Sequence, residues 1–286
     1  MDIVYNWHIT ENCNYSCNYC FAKWGGKNEL WKDSEKLDAV MLEIKEFGRL
    51  PFGYENIIQD IRINFAGGEP LLLGEKLITV IKAANKLGFK TSIITNASLL
   101  ERYLNIVNHI DMLGISIDSL DTDTNLTIGR STKSGQMILF ETLSAVITKA
   151  RLINPDLKIK FNVVVNRHNY AELLIPKLQS LQPYKIKVLR ELSAGNNTST
   201  TTDTMFSQFI ALNECSQPGV YIEDNEAMTC SYLMIDPMGR LYQNGRENKY
   251  NYSDPLHEVG LRAAIKSIKF SQQSFLDRYT ELCHET

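Results

Sequence analysis

The chain has 286 residues, 44% of them hydrophobic and 22% charged, which suits one large domain or two small ones around a buried core. Its formal net charge of −3 argues against a broad surface for nucleic-acid polymers, which gives a basic domain. The first residues show no basic stretch followed by an apolar run, and no run approaches the roughly 18 apolar residues of a membrane span. A cytoplasmic protein with no membrane partner is expected.

In chain order, a strand is predicted over 3–9, followed at once by a cysteine-rich loop. A helix over 34–47 carries Leu37, Val40, Met41, Ile44 and Phe47 on one face, with Gly48 suited to its C′ position. A strand over 60–65 runs into Gly67-Gly68-Glu69-Pro70. A helix over 75–87 leads through Gly88 to a strand over 91–95, and a helical pattern over 99–107 precedes a strand over 112–117. A helix over 135–151 precedes a strand over 158–165, and a helix over 170–181 precedes a strand over 186–192. Six such repeats imply parallel strands with right-handed crossovers, hence a barrel or an open sheet. Sites in such folds lie at the carboxyl ends of the strands. The cysteines, the Gly-Gly-Glu-Pro turn, Asn96 and Asp118 all fall there.

The stretch 193–204 is polar, without periodicity, and reads as a linker. Beyond it, 232–236 and 240–243 flank the turn Pro237-Met238-Gly239 as a hairpin, and two amphipathic helices follow over 257–268 and 272–279. The expected fold is therefore α/β: a partial (βα)6 barrel over 1–192 with a C-terminal α/β cap over 193–286 that closes on the barrel mouth.

Six cysteines allow three disulfides, yet Cys13, Cys17 and Cys20 fall within eight residues while Cys215, Cys230 and Cys283 are scattered. That clustering points to metal ligation in a reducing compartment. Iron–sulfur clusters with ordinary electron-transfer duties take four cysteines. Three would leave one iron of a cubane open to a chelating ligand. A zinc site completed by His8 or a distant cysteine is the alternative. Neither Gly67 nor Gly68 has a Cβ, which allows backbone to approach a ligand closely, and Glu69 offers an acceptor to an amine. Arg62, Arg130, Lys160 and Lys187 lie at or near strand ends, and a cationic cluster inside a barrel mouth needs an anion.

The cysteine loop with Gly67-Gly68-Glu69-Pro70 one repeat downstream resembles the radical S-adenosylmethionine superfamily. That resemblance implies a 4Fe-4S cluster held by Cys13, Cys17 and Cys20, whose open iron binds the methionine amine and carboxylate. It also implies that Gly67, Gly68 and Glu69 contact the methionine amine and that Tyr19 sits by the adenine. A closer resemblance, to the viperin family, rests on Asn6-Trp7-His8, the run 63–70, Asn96-Ala97-Ser98-Leu99, the segment 111–130 ending Ile-Gly-Arg, the Asn162–Asn169 run NVVVNRHN, Lys187-Val188 and Ser231-Tyr232-Leu233. Viperins convert a ribonucleoside triphosphate to its 3′-deoxy-3′,4′-didehydro analogue, a chain terminator in antiviral defence. The resemblance places Ser116, Asn96 and Arg130 around S-adenosylmethionine. It places Asn6, Arg62, Arg130, Lys160, Asn162 and Lys187 around ribose and triphosphate, and gives Tyr232 a closing and catalytic role. CTP or UTP is the expected substrate, a flavodoxin- or ferredoxin-type protein the expected reductant, and a monomer the expected state. Ala66 stands where vertebrate viperins carry serine, and Arg62 where they carry lysine; counterparts of the vertebrate N-terminal amphipathic helix and tryptophan-ended tail are not expected. Two alternatives stay open: a related enzyme with a second cluster built on Cys215, Cys230 and Cys283, acting on GTP or a peptide, and a zinc-stabilised interaction module.

Overall fold

A computed structural model describes residues 2–22, 25, 28–49, 51, 60–192, 199–244 and 250–280. Six parallel strands follow one another in the sheet: β1 (Asp2–Thr10), β2 (Asp60–Gly67), β3 (Lys90–Thr95), β4 (Met112–Ser116), β5 (Lys158–Val165) and β6 (Lys185–Arg190). Helices α1 (Ser34–Phe47), α2 (Glu75–Lys86), α3 (Thr122–Ile128), α4 (Phe140–Ile153) and α5 (Ile175–Gln179) lie between them. Helix α1 forms where the sequence places it. The Asp33 carboxylate accepts from the Lys36 N–H at 3.2 Å, which satisfies one orphan donor of the first turn. Leu37, Val40, Met41 and Ile44 are buried on one face. Gly48 ends the helix in the right-handed region, φ −63°, so it is no left-handed C′ residue; the buried Tyr5 hydroxyl donates to its carbonyl at 2.8 Å.

Three helical expectations shrink. Residues 99–107 fold as turns and a 3₁₀ helix, Leu104–His109. The helix expected from 135 begins at Phe140, because the preceding residues close a turn in which the Gly135 N–H donates to the Thr132 carbonyl at 2.9 Å. Within 170–181 only α5 forms. Pro176 has no N–H and fits a helix only in its first turn, so the helix starts there.

The chain beyond residue 192 adds α6 (Asp203–Leu212), β7 (Val220–Glu223), α7 (Asn225–Met228), β8 (Leu233–Ile235), β9 (Arg240–Asn244), β10 (Tyr250–Pro255), α8 (Leu256–Ser267) and α9 (Gln272–Thr280). Residues 193–198 of the polar stretch lie outside the described residues. The sheet runs β10-β9-β8-β1-β2-β3-β4-β5-β6-β7. Strand β7 pairs parallel with β6, β8 pairs parallel with β1, and β9 and β10 complete an antiparallel ribbon. The C-terminal part, expected as a cap over the open mouth of a partial barrel, adds strands to the barrel sheet at both flanks. Helix α7 carries the chain from β7 across to β8.

Strand alternation decides what faces the barrel interior. On β1, Ile3, Tyr5, Trp7 and Ile9 are buried on one face, with Trp7 stacked on Phe65 of β2 at 6.2 Å between ring centroids. The other face carries Asp2, Val4, Asn6 and His8. Barrel interiors are ordinarily filled by branched apolar side chains. This one is polar and hollow. Among the described residues no helix is long and apolar enough to cross a membrane.

Candidate active site

At the carboxyl end of the barrel, the loop after β1 is held by backbone. The Gly68 N–H donates to the Thr10 carbonyl at 2.7 Å and the Glu69 N–H to the Asn12 carbonyl at 2.8 Å. A Cβ on Gly68 would stand 2.2 Å from the Asn12 oxygen, and one on Gly67 2.3 Å from the Thr10 oxygen. The close approach these glycines allow is therefore to the cysteine loop itself, where the sequence suggested a ligand. The turn after α3 grips the other side: Ser16 and Asn18 N–H groups donate to the Gly129 and Ile128 carbonyls at 3.1 and 3.0 Å.

Cys17 and Cys20 are partly buried, and Cys13 is exposed. The Cys13 Sγ accepts from the Tyr15 N–H at 3.4 Å and from the Asn96 amide at 3.9 Å. Desolvation of that sulfur pushes its thiol up to about 11, and Glu69, Cys17 and Cys20 add repulsion. Burial also raises Cys17, against the pull of Arg130. Thiolates gathered here need a cation to persist. Among the described residues no three His, Cys, Asp or Glu side chains gather so as to hold a single metal ion. A cubane is held at three separate corners, so it asks for spaced thiols rather than convergent ones. The donor set fits such a cluster, with Cys13, Cys17 and Cys20 as the residues that would hold it.

Glu69 is fully buried. Its carboxylate accepts from the Leu71 N–H at 2.9 Å, the Thr95 hydroxyl at 2.7 Å and the Asn96 N–H at 2.7 Å. Burial raises its pKa and these bonds oppose that shift. A carboxylate has roughly four acceptor sites, so Glu69 braces the end of β3 and keeps one site for an amine. Asn96 in turn bonds the Asn14 side chain at 2.9 Å. Arg130 is buried beside Asp118, its Nε 3.4 Å from the carboxylate. It also donates to the Ser116 carbonyl, to the Tyr19 oxygen at 3.5 Å and to the Cys17 sulfur at 3.8 Å. The Tyr19 hydroxyl donates to Asp118. The resemblance gives Arg130 to both ligands; the fold sets it among the cysteine loop's neighbours.

Further down the barrel lies a cavity of about 620 Å³. Asn6, Arg62, Lys160, Lys187 and Tyr232 line it, while Asn162, paired in register with Ser116 and Lys187, is not among its lining residues. These cations are not at carboxyl ends. Arg62, Lys160 and Lys187 are each the third residue of their strand, so the site extends toward the amino end. Lys90, Lys158 and Lys185 extend the cationic lining there, and Asp2 and Glu223 are its acids. Six cations against two acids leave an interior suited to a polyanion. Alternation along β3, β5 and β6 carried the signal for the additional lysines; nothing local marked Glu223. A polar rung crosses three strands: Ser92 donates to Asn64, and Asn64 to Asn6, each at 2.8 Å. Thr10 lies four residue steps beyond Asn6, about 13 Å of parallel strand, so the cavity and the cysteine loop stack along one axis. Lys187 Nζ donates to the Tyr232 hydroxyl at 2.7 Å, and both also bond Glu223.

A sequence model of the Radical SAM superfamily matches residues 7–151. An S-adenosylmethionine-dependent nucleotide dehydratase of Fibrobacter sp. (strain UWH6) is 39% identical over 99% of this chain and 90% of its own length. One of Pseudoalteromonas ulvae is 38% identical, over 98% and 94%. The chain belongs to the viperin-type nucleotide dehydratases of the radical SAM superfamily. Its cofactors are accordingly a 4Fe-4S cluster and S-adenosylmethionine. Among solved structures, anSMEcpe with bound AdoMet covers 96% of this chain and 84% of its own at a TM-score of 0.64 and 15% identity, which shows the fold. Of the cysteines named for a second cluster, Cys215 is buried in the apolar core and the Cys230 sulfur donates to the Asn244 carbonyl at 3.6 Å; Cys283 lies outside the described residues.

Proposed function

We propose that this chain dehydrates a ribonucleoside triphosphate, CTP or UTP, to its 3′-deoxy-3′,4′-didehydro analogue, a chain terminator for viral polymerases. The observation that carries this reading is the cationic cavity beneath the cysteine loop. A triphosphate fits its charge, and the volume is ordinary for a ligand of that size. The names of the relatives support a nucleotide as substrate.

The cluster and its bound S-adenosylmethionine supply, when reduced, a carbon radical able to take the ribose 4′-hydrogen. The protein's part is position. Arg62, Lys160 and Lys187 take the phosphates, with Arg62 offering a planar fork of donors where the vertebrate proteins have lysine. Asn6, Asn162 and the Asn64–Ser92 rung orient the ribose from the strands above. The reacting carbon then has to come within about 3–3.5 Å of its partner atom. Tyr19, Gly67, Gly68, Glu69, Asn96, Ser116 and Arg130 shape the S-adenosylmethionine side. Tyr232 closes the cavity and, with its hydroxyl between Lys187 and Glu223, is placed to hold or pass a proton. The C-terminal part serves as the closing element, a flavodoxin- or ferredoxin-type protein supplies electrons, and the enzyme works as a monomer in the reducing cytoplasm.

The test is to incubate reconstituted protein with S-adenosylmethionine, a reductant and each of the four ribonucleoside triphosphates, following product masses. Loss of one water from CTP or UTP, matched by 5′-deoxyadenosine, is the expected result. Cleavage of S-adenosylmethionine with no dehydrated nucleotide from any of the four would refute the reading.

A further inference from the structure

The exposure of the cavity's lining changes along its axis. At the amino edge Tyr184, the residue before β6, is 56% exposed, and Lys158, the first residue of β5, is exposed as well. Two to four residues further along their strands, the Arg62 and Lys187 side chains are 12% and 15% exposed, and Asn64 and Ser92 are buried. The next inward positions on three strands, His8, Ala66 and Asn162, are buried and do not line the cavity. The cavity therefore opens to solvent at the amino end of the barrel, away from the cysteine loop. Its rim there is ordered. Lys158 Nζ lies 4.8 Å from the centre of the Tyr184 ring, and Lys185 Nζ lies 5.9 Å from the same ring and 5.6 Å from that of Tyr221 on β7. Cation and ring thus alternate along the amino side of β5, β6 and β7. An aromatic face orients an ammonium without cancelling its charge.

We propose that the nucleotide enters through this amino-end mouth with its nucleoside leading, that the Lys158–Tyr184 rim draws it in, and that the terminal phosphate of the bound triphosphate still faces the mouth. The inference rests on the nucleotide reading above. That reading puts the ribose near Asn6 and Asn162 and the phosphates on Arg62, Lys160 and Lys187, nearer the amino edge. A ligand so placed has its tail toward the rim, whatever else those cations hold before it arrives. Entry from the carboxyl end would take the triphosphate past the cysteine loop and S-adenosylmethionine. Entry from the amino end meets exposed cations first and leaves the phosphates last in line. A rim cation acts on encounter, because it concentrates an anionic ligand at the opening without forming part of the bound site. The two ligands then come from opposite ends, and neither has to pass the other.

The experiment uses reconstituted full-length wild type and Lys158→Glu with CTP and UTP, each plain and carrying a fluorescent group esterified to its terminal phosphate. On wild type, the better-bound nucleotide is expected to keep its affinity within about tenfold when tagged, because the tag projects from the mouth. In stopped-flow anisotropy, Lys158→Glu with wild-type iron content should slow association about fivefold at low ionic strength and leave dissociation within about twofold. The difference in association should vanish near 1 M salt, where charge is screened within about 3 Å. S-adenosylmethionine should bind both proteins at the same rate. The inference is overturned if the plain nucleotide binds wild type and its tagged form does not. It is also overturned if Lys158→Glu leaves association unchanged, acts on dissociation instead, or slows S-adenosylmethionine as much. Failure of the nucleotide reading looks different: neither plain nucleotide binds wild type.

Discussion

Lys187 on β6 donates to the hydroxyl of Tyr232, the residue before β8, at 2.7 Å, and its Nζ stands 5.1 Å from that ring's centroid. The two residues lie at opposite flanks of the sheet order, so their contact closes the barrel around the cavity where no strand pairing does. Lys187→Ala should therefore weaken triphosphate binding by about 10- to 150-fold, the range of a charge-assisted hydrogen bond. It should leave S-adenosylmethionine binding and the phosphate-free nucleoside unchanged. Calorimetry with both ligands checks this; equal losses on both would indicate a folding defect instead.

Cys17→Ala removes one of the three thiolates, and two do not hold a cubane. Iron content and the brown absorbance of the reconstituted protein should fall to background, with no 5′-deoxyadenosine formed. Iron analysis and product chromatography read both quantities, and retention of either would contradict the ligand assignment.

Gly68→Ala should act on the cluster from outside the ligand set. Its Cβ would meet the Asn12 oxygen at 2.2 Å, too close for backbone to tolerate, so the loop carrying Cys13 has to shift. Iron incorporation should drop while far-ultraviolet circular dichroism stays at wild type. A variant that reconstitutes normally would show the loop to be more yielding than its backbone bonds suggest.

Arg130→Lys separates the two ligands that the family resemblance assigns to one side chain. Lysine keeps the charge but loses the fork that reaches Asp118, Ser116, Tyr19 and Cys17 together. S-adenosylmethionine affinity should fall about tenfold, the scale of one charge-assisted bond, with triphosphate affinity changed less than about twofold. Titrations with each ligand alone test this, and the reverse pattern would move Arg130 to the phosphates.

His8 gives a pH dependence. Burial lowers its pKa from 6.5 to about 3, with Phe21 and Tyr242 rings at 5.6 and 5.8 Å. The unfolded chain then binds a proton that the folded chain refuses. Its effect on stability is absent above pH 6.5 and grows as pH falls from there toward 3. At pH 5 the cost is about 2 kcal/mol. His8→Phe should flatten this part of the acid limb in denaturant titrations between pH 7 and 5. An unchanged slope would show that His8 protonates in place.

Cys13, Cys17 and Cys20 were legible from spacing, because ligands on one short loop must come together whatever the fold does. Helix α1 and the six parallel strands were legible because apolar period and turn residues act within a few positions. Other elements were not: α3, β7 and α7 have too few residues for a period to show, while α6 and β10 are as long as elements that were predicted and were missed all the same. The two roles of Gly68 and Glu69 needed the fold, since a glycine that admits a ligand and one that admits another loop look alike in sequence. The depth of Arg62, Lys160 and Lys187 in the barrel follows from strand register, which long-range pairing sets. Above all, Glu223 joins Lys187 and Tyr232 only because β7 attaches to one flank of the sheet and β8 to the other. A sequence determines which donors and acceptors exist, and local spacing determines which of them must be neighbours. Which distant charges share one low-dielectric cavity is decided by the closing of the sheet, where burial of apolar helix faces outweighs any single pair.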